Sequence, residues 1–497
     1  MRTASTQVDT ETVAADGSYT THRGLTSAPA SDLEHSGSEA GFPRMEWDLV
    51  VVGGGAAGLS AARAGARSGK RTVLVSEGPL GGDCTFTGCV PSKTLIESTA
   101  QRLTFTQAMT RVRDVVERIA ATEDASVLRG EGITVREGRA HFVGPRKLSV
   151  EGEQLTGARV VIATGSSPMV PSVPGLDTVP YLTNETVFDL TDPPESLVIV
   201  GGGPIGCELA QAFNRLGVTV TVVEAADRLL PREDVEVGTV LADVFSRDGI
   251  ALRLGVGVTR AAVGSEAGIE LHLDDGSVVS AARVLVAAGR RPETGGLGLD
   301  AGGVAVDDRG FIQTDDHLAT SASGVLAVGD VTGRLPFTHA ADEMGRIAVA
   351  NAFGRLHRRP FRASAIPWVT FTEPEVARIG MTEVQAAAVG GRVAYLPMTE
   401  VDRAITAGRT DGFVKLLAGP RRIGGNAGGG KVLGATIVSE RAGELIHEVA
   451  LAMRTGMFTG RLAQTVHAYP TWSVAVRQAA GQFFLTTGGR DARPAQG

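Results

Sequence analysis

Two of the three cysteines in this 497-residue chain stand five positions apart, in the glycine-rich run GGDCTFTGCVPSK at 81–93. Such a pair can hold a metal ion, form a redox-active disulfide, or pack as two inert thiols. Structural zinc and iron–sulfur sites require about four protein ligands. The third cysteine, Cys207, is far away in the sequence, so no metal site is predicted.

A redox dithiol needs its sulfurs close together and a local positive field that favours the thiolate. A short loop that enters a helix, with Lys93 nearby, would supply both. We therefore expect Cys84 and Cys89 to be redox-active, with two inert buried thiols as the alternative.

Two further segments share one pattern of glycines. In each, an apolar run leads into G-x-G-x-x-G, a helix follows, and a second apolar strand ends on a glutamate. A lone motif of this kind is weak, but strand, turn, helix and terminal acid together form the dinucleotide-binding fingerprint. The glycines let backbone N–H groups approach a pyrophosphate, and the carboxylate takes ribose hydroxyls. The residues are Gly53, Gly55, Gly58 and Glu77 in the first fingerprint, and Gly201, Gly203, Gly206 and Glu224 in the second.

Two dinucleotide sites in one chain indicate two nucleotides that exchange electrons. A carboxylate repels the 2′-phosphate of NADP, so Glu77 and Glu224 both favour a free 2′-hydroxyl. The sequence thus predicts NADH at the second site. Arg228 and Arg232 follow closely and could soften that preference, which leaves NADPH as an alternative.

Composition excludes several other functions. With 43% apolar and 21% charged residues, the chain is long enough for about two to four domains. A net charge of −7 argues against a nucleic-acid-binding surface, and no apolar run reaches the roughly 18 residues that span a bilayer. Three cysteines cannot form the disulfide framework of a secreted protein, so a cytoplasmic protein is expected. Residues 1–44 show no hydrophobic period and are predicted to form a disordered N-terminal arm.

The cysteine run closely resembles the active-site segment of the class I pyridine nucleotide-disulfide oxidoreductases, the group of glutathione reductase, dihydrolipoamide dehydrogenase and mercuric reductase. The resemblance extends from about 46 to about 485 and includes ATG at 163–165, AGRRP at 288–292, TSASGVLAVGD at 320–330 and IPWVTFTEPE at 366–375. It implies an α/β fold with two Rossmann-like dinucleotide-binding domains, for FAD and NAD, and a C-terminal α+β dimerisation domain.

The resemblance also implies a domain order and an assembly. It places an FAD-binding domain at 46–165 and 295–365, an NAD(P)-binding domain at 166–294, and a dimerisation domain at 366–490. Because the family builds each active site from two subunits, a homodimer is expected. FAD and NADH are the expected cofactors, and the other partner is a small-molecule or metal-thiolate substrate.

Carried over residue by residue, the resemblance implies that electrons pass from NADH to the flavin and on to a Cys84–Cys89 disulfide. Cys89 would be the thiolate beside the flavin, and Cys84 the exposed thiol that attacks the substrate. Lys93 would lie by the flavin ring and pair with Glu208, because a buried cation needs such a partner. Flavin contacts are expected where the chain crosses between domains and where a helix starts near 338: Thr164, Gly165, Gly289, Asp330, His339 and Ala340.

The family pattern breaks near the C-terminus. Members that reduce disulfides carry a His-Pro-Thr segment whose His, oriented by a Glu, is the acid/base. This chain reads VHAYPTWSV at 466–474, which puts Tyr469 at the His position and Val474 at the Glu position. His467 is present but is expected to be a packed, hydrogen-bonded residue. A Tyr before Pro-Thr resembles mercuric reductase, so Tyr469 has either a substrate role or a packing role at the dimer interface.

The electron acceptor therefore stays open. The first hypothesis is a dithiol flavoenzyme that reduces a thiol-liganded metal, as mercuric reductase does, or a disulfide. The alternatives are a dihydrolipoyl dehydrogenase-type reductase, a diaphorase that reduces quinones with unused cysteines, and a redox-sensing protein that binds FAD and NADH. A missing acid/base, typically worth about 10²–10⁴-fold, argues against efficient turnover of lipoamide or glutathione disulfide.

Overall fold

The computed structural model describes residues 46–264, 268–354, 358–420 and 429–497. The predicted disordered arm, residues 1–44, lies outside the described residues. In the part that is described, no helix is both long and apolar enough to cross a membrane.

The first glycine fingerprint lies in a sheet whose inner strands are parallel. Its elements are β1 (Trp47–Val52), α1 (Ala56–Arg67), β2 (Thr72–Ser76), α2 (Gly82–Phe86), α3 (Cys89–Ala100), α4 (Phe105–Ala120), α5 (Ala125–Gly130), β3 (Ile133–Glu137), β4 (Ala140–Gly144), β5 (Lys147–Val150) and β6 (Glu153–Ile162). The order is β3-β2-β1-β6-β5-β4, and β3, β2, β1 and β6 run parallel. Leu49, Val50 and Val51 are fully buried, because this strand is covered on both faces.

The second fingerprint repeats the arrangement in a five-stranded parallel sheet. Its elements are β7 (Ser166–Pro168), β8 (Tyr181–Leu182), β9 (Ser196–Val200), α6 (Pro204–Arg215), β10 (Thr219–Glu224), α7 (Val235–Arg247), β11 (Ala251–Leu254), β12 (Val258–Val263), β13 (Ile269–Leu273), β14 (Val278–Ala281), β15 (Arg283–Val286) and β16 (Arg290–Pro292). The order is β11-β10-β9-β15-β8, beside an antiparallel β12-β13-β14 sheet. The antiparallel pair β16–β7 marks where the chain leaves and re-enters the first sheet.

The chain then returns to the first sheet with α8 (Leu299–Gly302), β17 (Val325–Ala327) and α9 (Thr338–Phe353). Strand β17 pairs in parallel with β6, and α9 packs against α1. This contact is close because both helices are built from small residues: a Cβ added at Gly345 would lie 2.6 Å from the Ala57 carbonyl oxygen. Helix α9 is thereby fixed with its first residue at the cysteine pair, as described below.

The C-terminal part forms an antiparallel sheet with helices, as the α+β prediction requires. Its elements are β18 (Trp368–Thr370), β19 (Glu375–Gly380), α10 (Glu383–Ala387), β20 (Arg392–Pro397), α11 (Asp402–Ala407), β21 (Phe413–Ala418), β22 (Val432–Ser439), α12 (Ala442–Arg454), α13 (Thr459–Gln464), α14 (Val474–Gly481) and β23 (Arg493–Pro494). The strand order is β18-β19-β22-β21-β20-β23. The predicted fold class, two Rossmann-like dinucleotide-binding units and a C-terminal α+β unit, is confirmed.

A buried lysine joins the C-terminal sheet to the second parallel sheet. Lys415 in β21 is 1% exposed, and its Nζ lies 2.7 Å from the Glu236 carboxylate of α7 and 2.9 Å from that of Glu383 in α10. A buried cation must be paired, so this cluster ties β21 to helix α7, which belongs to the second dinucleotide-binding unit.

Candidate active site

The two cysteines lie on separate helices joined by two residues. Cys84 is inside the short helix α2, not in the loop that the sequence suggested, and Cys89 is the first residue of α3. Gly81 and Gly82 precede Cys84 with φ angles of 110° and 61°, which only glycine adopts readily. Both thiols are free, and Cys89 is exposed whereas Cys84 is half-buried, so the expectation that Cys84 is the exposed thiol is wrong for the single chain.

A single hydroxyl group contacts both sulfurs. Thr338, the first residue of α9, has its Oγ1 3.1 Å from the Cys84 Sγ and 3.4 Å from the Cys89 Sγ. The positive end of the α9 dipole lies at the same place and favours negative charge there. The pair is thus surrounded by groups that stabilise a thiolate.

The negative charge of the reduced pair belongs to Cys89. The hydrogen bond from the Cys84 thiol is the largest influence that lowers the pKa of Cys89 to about 6, and Thr338 and the Lys93 charge act in the same direction. The same bond, together with burial, raises the pKa of Cys84. Above about pH 6, Cys89 is therefore a thiolate while Cys84 keeps its proton.

The Lys93–Glu208 pair that the sequence predicted forms at short distance. Lys93 Nζ in α3 lies 2.7 Å from Oε2 of Glu208 in α6, and Glu208 is buried, with 5% exposure. Its other oxygen accepts a hydrogen bond of 2.9 Å from the Phe371 N–H, and the Lys93 ammonium lies 4.8 Å from the centre of the Phe371 ring. The buried carboxylate is satisfied on both oxygens, so it can hold Lys93 in place.

An arginine links the cysteine helix to Asp330, one of the expected flavin contacts. Arg290 forms an ion pair with Asp83, next to Cys84, and its Nε lies 3.6 Å from the Asp330 carboxylate. Asp330 also accepts a hydrogen bond of 2.7 Å from the Ser166 hydroxyl, and burial raises its pKa. Asp330 is therefore a half-buried acceptor group close to both domain crossings.

The first glycine fingerprint has the shape that a dinucleotide requires. Gly53 has φ of 109°, and a Cβ there would lie 2.2 Å from the Ala163 carbonyl oxygen; a Cβ at Gly58 would lie 1.8 Å from the Gly53 carbonyl oxygen. A Cβ at Gly55 would meet nothing within 4 Å, so its face is open to a ligand. Glu77 directly follows β2, with 65% of its side chain exposed, and lies 3.7 Å from Arg139. These residues fit FAD.

The second fingerprint repeats this geometry with a more constrained carboxylate. A Cβ at Gly201 would lie 2.5 Å from the Ala287 carbonyl oxygen, whereas one at Gly203 would meet nothing within 4 Å. The two Glu224 oxygens accept hydrogen bonds from the Gly202 and Ala226 N–H groups at 2.6 and 2.7 Å. Each oxygen keeps a lone pair for a ribose hydroxyl. These residues fit a nicotinamide dinucleotide.

Arg228 does not point at the second fingerprint's carboxylate. Its guanidinium pairs with Asp227 and donates a 3.0 Å hydrogen bond to the Pro231 carbonyl oxygen. The Arg232 carbonyl oxygen accepts a 3.1 Å hydrogen bond from Arg378. The Arg228 guanidinium is thus engaged away from Glu224, whereas the contact of Arg232 involves only its backbone.

The other predicted flavin contacts lie at the domain crossings and at the start of α9. The Thr164 hydroxyl donates to the Glu293 carbonyl oxygen at 2.7 Å, and Gly165 and Gly289 have positive φ angles of 79° and 136°. His339 bonds to the Pro367 carbonyl oxygen at 2.5 Å, and Ala340 is fully buried. These residues lie in the segments that connect the domains and at the N-terminus of α9, as Asp330 does close by.

The late candidates, His467 and Tyr469, differ sharply in environment. The His467 ring is packed, with 6% exposure and both nitrogens engaged, by Glu448 at 3.1 Å and by the Thr465 carbonyl oxygen at 2.9 Å. Tyr469 is 72% exposed, and its hydroxyl donates to the Asp402 carboxylate at 2.8 Å. Within this chain His467 is packed and hydrogen-bonded, as expected, and Tyr469 is not a core residue.

The remaining cysteine is structural. Cys207 is fully buried, its thiol contacts the Gly202 carbonyl oxygen at 3.3 Å, and burial raises its pKa. Among the described residues, no group of His, Cys, Asp and Glu is arranged to hold a metal ion.

Sequence reasoning missed two contacts that organise the site. Thr338 meets the Cys84 sulfur across 254 positions, and Arg290 meets Asp83 across 207 positions. Both residues belong to segments that the family resemblance singled out. Their partners could not be read from spacing, because only the folded sheets bring these segments together.

Comparison with known proteins agrees with this geometry. The chain matches the pyridine nucleotide-disulphide oxidoreductase family over residues 47–345 and the dimerisation domain of that family over residues 366–480. It is 32% identical over 457 residues to a mercuric reductase from Bacillus cereus, covering 87% of this chain and 71% of the relative. It is 36% identical over 465 residues to a dihydrolipoyl dehydrogenase from Chlorobaculum tepidum, covering 88% and 96%.

A solved structure is similar over almost its whole length. The Cu(II) complex of the HOCl-induced flavoprotein disulfide reductase RclA from Escherichia coli superposes with a TM-score of 0.80 at 30% identity, covering 88% of this chain and 99% of that one. Family matches, relatives and fold agree with the two fingerprints and the cysteine pair. The chain therefore belongs to the pyridine nucleotide-disulphide oxidoreductase family, whose members are FAD-dependent enzymes that use NAD(P)H.

Proposed function

We propose that this enzyme passes electrons from NADH to the Cys84–Cys89 pair and from there to a thiol-liganded metal ion such as Hg(II), with small disulfides as the second class of acceptor. The observation that carries the proposal is the polarised dithiol: the Thr338 hydroxyl, at the N-terminus of α9, lies within 3.4 Å of both sulfurs, and the ion-paired Lys93 follows Cys89 on the same helix. Two inert thiols would have no need of these neighbours.

The proposal assigns the cofactors to the two fingerprints. FAD, when bound, supplies the carrier that takes a hydride from NADH and hands on two electrons. Gly53, Gly55, Gly58 and Glu77 would hold FAD, and Lys93 would lie beside its ring. Thr164, Gly165, Gly289, Asp330, His339 and Ala340 would line the remainder of that site. Gly201, Gly203, Gly206 and Glu224 would hold NADH, and the free 2′-hydroxyl would suit the Glu224 carboxylate.

The roles of the two sulfurs follow from their protons. Cys89, the thiolate above about pH 6, is held beside Lys93 and Thr338. Cys84 keeps its proton in the resting reduced pair, passes it to Cys89 along their hydrogen bond, and is then the thiolate that attacks the acceptor. Reduction of the disulfide stores two electrons as one thiol and one thiolate, and transfer to the acceptor re-forms the S–S bond.

A metal-thiolate acceptor is favoured because the chain offers no free acid/base at the late segment. His467 has both ring nitrogens engaged, and Tyr469 stands at the position of the usual His. Exchange of thiolate ligands on a soft metal ion needs a thiolate nucleophile but no proton donor to a leaving thiol. Mercuric reductases are among the relatives, which supports the same choice.

The proposal includes an assembly. The match to the family's dimerisation domain supports a homodimer, in which Tyr469 of one subunit would face the cysteine pair of its partner. It also assigns residues 46–165 and 295–365 to the FAD domain, residues 166–294 to the NAD domain and residues 366–490 to the interface domain.

An anaerobic NADH titration followed by absorbance tests the proposal. Wild type should take up electrons and develop a long-wavelength band from the Cys89 thiolate beside the flavin. Cys89→Ser should lack the band, and Cys84→Ser, which keeps the charged sulfur, should show it without added NADH. If the flavin bleaches alike in all three proteins, the cysteines are unused and the enzyme is a diaphorase that reduces quinones directly.

A further inference from the structure

Thr338 contacts both sulfurs from the first residue of α9, so its position depends on how that helix begins. The residue before it, Phe337, is the N-cap residue. Its apolar side chain cannot accept a hydrogen bond from the first turn, as Ser, Thr or Asp does at this place. The ends of a helix are its least constrained parts. Other contacts must therefore hold the start of α9 at the cysteine pair.

Both neighbours of Thr338 are attached to the start of β18. The Phe337 ring is stacked on the Trp368 indole, with ring centroids 5.9 Å apart and an angle of 10° between the planes. His339 bonds to the carbonyl oxygen of Pro367, the residue before Trp368. A near-parallel ring pair at this separation is the offset-stacked arrangement that aromatic side chains prefer. The backbone that carries the Thr338 hydroxyl is thus tied to the start of β18 on both sides.

The Trp368 ring is itself held by charged neighbours. Its indole N–H donates a hydrogen bond of 2.9 Å to Glu233, and the Arg378 guanidinium lies 4.2 Å from the centre of the ring. Arg378 and Glu233 form an ion pair at 2.6 Å, and both side chains are 9% exposed. Breaking a buried ion pair is costly, and a guanidinium over an indole adds a cation–π contact. The indole is therefore held in one orientation from its edge and from one face.

This arrangement joins three parts of the chain. Glu233 precedes α7 in the second dinucleotide-binding unit, and Trp368 begins β18 of the C-terminal sheet. Phe337 packs against the hydrophobic core of the first dinucleotide-binding unit. Directly after β18, the Phe371 N–H donates to the carboxylate that holds Lys93. One strand thus supports both the hydroxyl and the ammonium group beside the cysteine pair.

We propose that Trp368 is a positioning residue for the dithiol: held by Glu233 and Arg378 and stacked on Phe337, it keeps the Thr338 hydroxyl at the two sulfurs. This inference rests on the proposed function, in which the charge of the reduced pair is used. Without the indole, the start of α9 loses its support, and the hydroxyl stabilises the thiolate less because a charge-assisted hydrogen bond depends on its geometry. Trp368 thus acts on the cysteine pair only through the Thr338 hydroxyl.

A pH titration of thiolate absorbance in the reduced, FAD-loaded full-length protein tests this role, with Cys89→Ser in each background as the baseline. Trp368→Ala should raise the midpoint by at least about half as much as Thr338→Val does, because it acts through the same group. In the double variant, Trp368→Ala should add less than about 0.2 pH units to the shift that Thr338→Val causes, because two changes that act through one hydroxyl are not additive.

Three further variants sharpen the test. Trp368→Phe keeps a ring for Phe337, so its thiolate midpoint should be closer to wild type than that of Trp368→Ala. Phe337→Leu removes the other ring of the stack and should raise the midpoint as Trp368→Ala does, so misfolding of one variant leaves the other to decide. Trp47→Ala is the matched control, because Trp47 is a partly buried tryptophan at the start of β1, the end opposite the glycine turn. It should lower the urea midpoint of unfolding but leave the thiolate midpoint unchanged.

An unchanged thiolate midpoint in Trp368→Ala and Phe337→Leu would overturn the proposal, and so would an equal shift in Trp47→Ala. Shifts that add in full in the double variant would overturn it too, because Trp368 would then act by another route than the hydroxyl. A Trp368→Phe midpoint as high as that of Trp368→Ala would overturn the stacking role.

The titration needs no acceptor, so its outcome is separate from that of the proposed function. If Cys84→Ser still reduces Hg(II) and disulfides at the wild-type rate, the proposed function fails. The thiolate midpoints of the Trp368 variants still decide whether the indole positions the hydroxyl.

Discussion

The cysteine site and the segment 466–474 are built in opposite ways. At the cysteine site the polar groups find their partners within the chain: the buried Glu208 takes Lys93 and a backbone N–H, and Thr338 contacts both sulfurs. In the late segment, Val466 is 89% and Tyr469 72% exposed. The chain thus supplies by itself the groups that place the negative charge on Cys89. The surface around Tyr469 is instead exposed, and it is available to a ligand or to a second subunit.

The comparison also explains where this chain departs from its family's pattern. Groups that set the Cys89 pKa depend on one another, so a change in any of them would disturb the charge of the pair. The late segment contributes one exposed phenol and one packed histidine, and their hydrogen bonds within this chain go to Asp402, Glu448 and the Thr465 carbonyl oxygen. A departure from the family's pattern in this segment therefore leaves the contacts that set the Cys89 pKa in place.

Cys84→Ala should have the largest effect, on both the Cys89 pKa and the activity. The variant loses the thiol that donates to Cys89, which is the largest influence on its pKa, so the pKa of Cys89 should rise from about 6 towards the ordinary thiol value. Reduction of Hg(II) and disulfides should fall by about 10²-fold or more, because the attacking sulfur is gone. Thiolate absorbance near 240 nm against pH and NADH consumption check the two results. Tyr469→Phe should cost far less in turnover, and an equal loss would contradict the contrast between the two regions.

Glu208→Leu should have the next largest effect, on stability. It leaves Lys93 without its carboxylate partner and the Phe371 N–H without its acceptor. We expect a loss of about 1–3 kcal/mol in the free energy of unfolding, less than for a fully buried pair because one third of the Lys93 side chain is exposed. Glu208→Gln, which retains an oxygen acceptor, should lose less in urea denaturation. Equal midpoints for wild type and Glu208→Leu would show that the pair is not holding Lys93.

Thr338→Val should raise the pKa of Cys89 by less than Cys84→Ala does. Its hydroxyl is one of the groups that lower this pKa, after the Cys84 thiol. Thr338→Ser keeps the hydroxyl and should leave the pKa near that of wild type. The same absorbance titration compares the three proteins. An unchanged midpoint in Thr338→Val would show that the hydroxyl does not lower the pKa of Cys89.

His467→Gln should have the smallest effect on turnover. Since its ring nitrogens are engaged by Glu448 and a backbone carbonyl, we expect kcat and KM to stay within about twofold and the free energy of unfolding to fall by about 0.5–1.5 kcal/mol, as for one hydrogen bond. Steady-state kinetics and urea denaturation provide the measurements. A large loss of kcat with a shifted pH profile would mean that His467 is an acid/base after all.

Local patterns in the sequence were sufficient for the fold and for much of the site. The strand–glycine–helix–acid order defines a complete physical unit, so both dinucleotide-binding units could be predicted from Gly53 to Glu77 and from Gly201 to Glu224. The Lys93–Glu208 pair and the packed state of His467 were also expected, the first through the family resemblance and the second from its position relative to that pattern. Each of these features is encoded within a short stretch or a known family motif.

The remaining features depend on contacts between distant segments. Thr338 reaches the cysteines only because small residues let α9 pack closely against α1. Arg290 reaches Asp83 because β16 pairs with β7.

The most direct test of the central claim is the pH titration of thiolate absorbance in the fully reduced protein. A lowered pKa means that the charge is present above the midpoint and lost as pH falls through it. Wild type should therefore gain one thiolate with a midpoint at about pH 6, and Cys89→Ser should show no transition there. A wild-type midpoint near the ordinary thiol value, or a transition near pH 6 that survives in Cys89→Ser and disappears in Cys84→Ser, would contradict the assignment of the charge to Cys89.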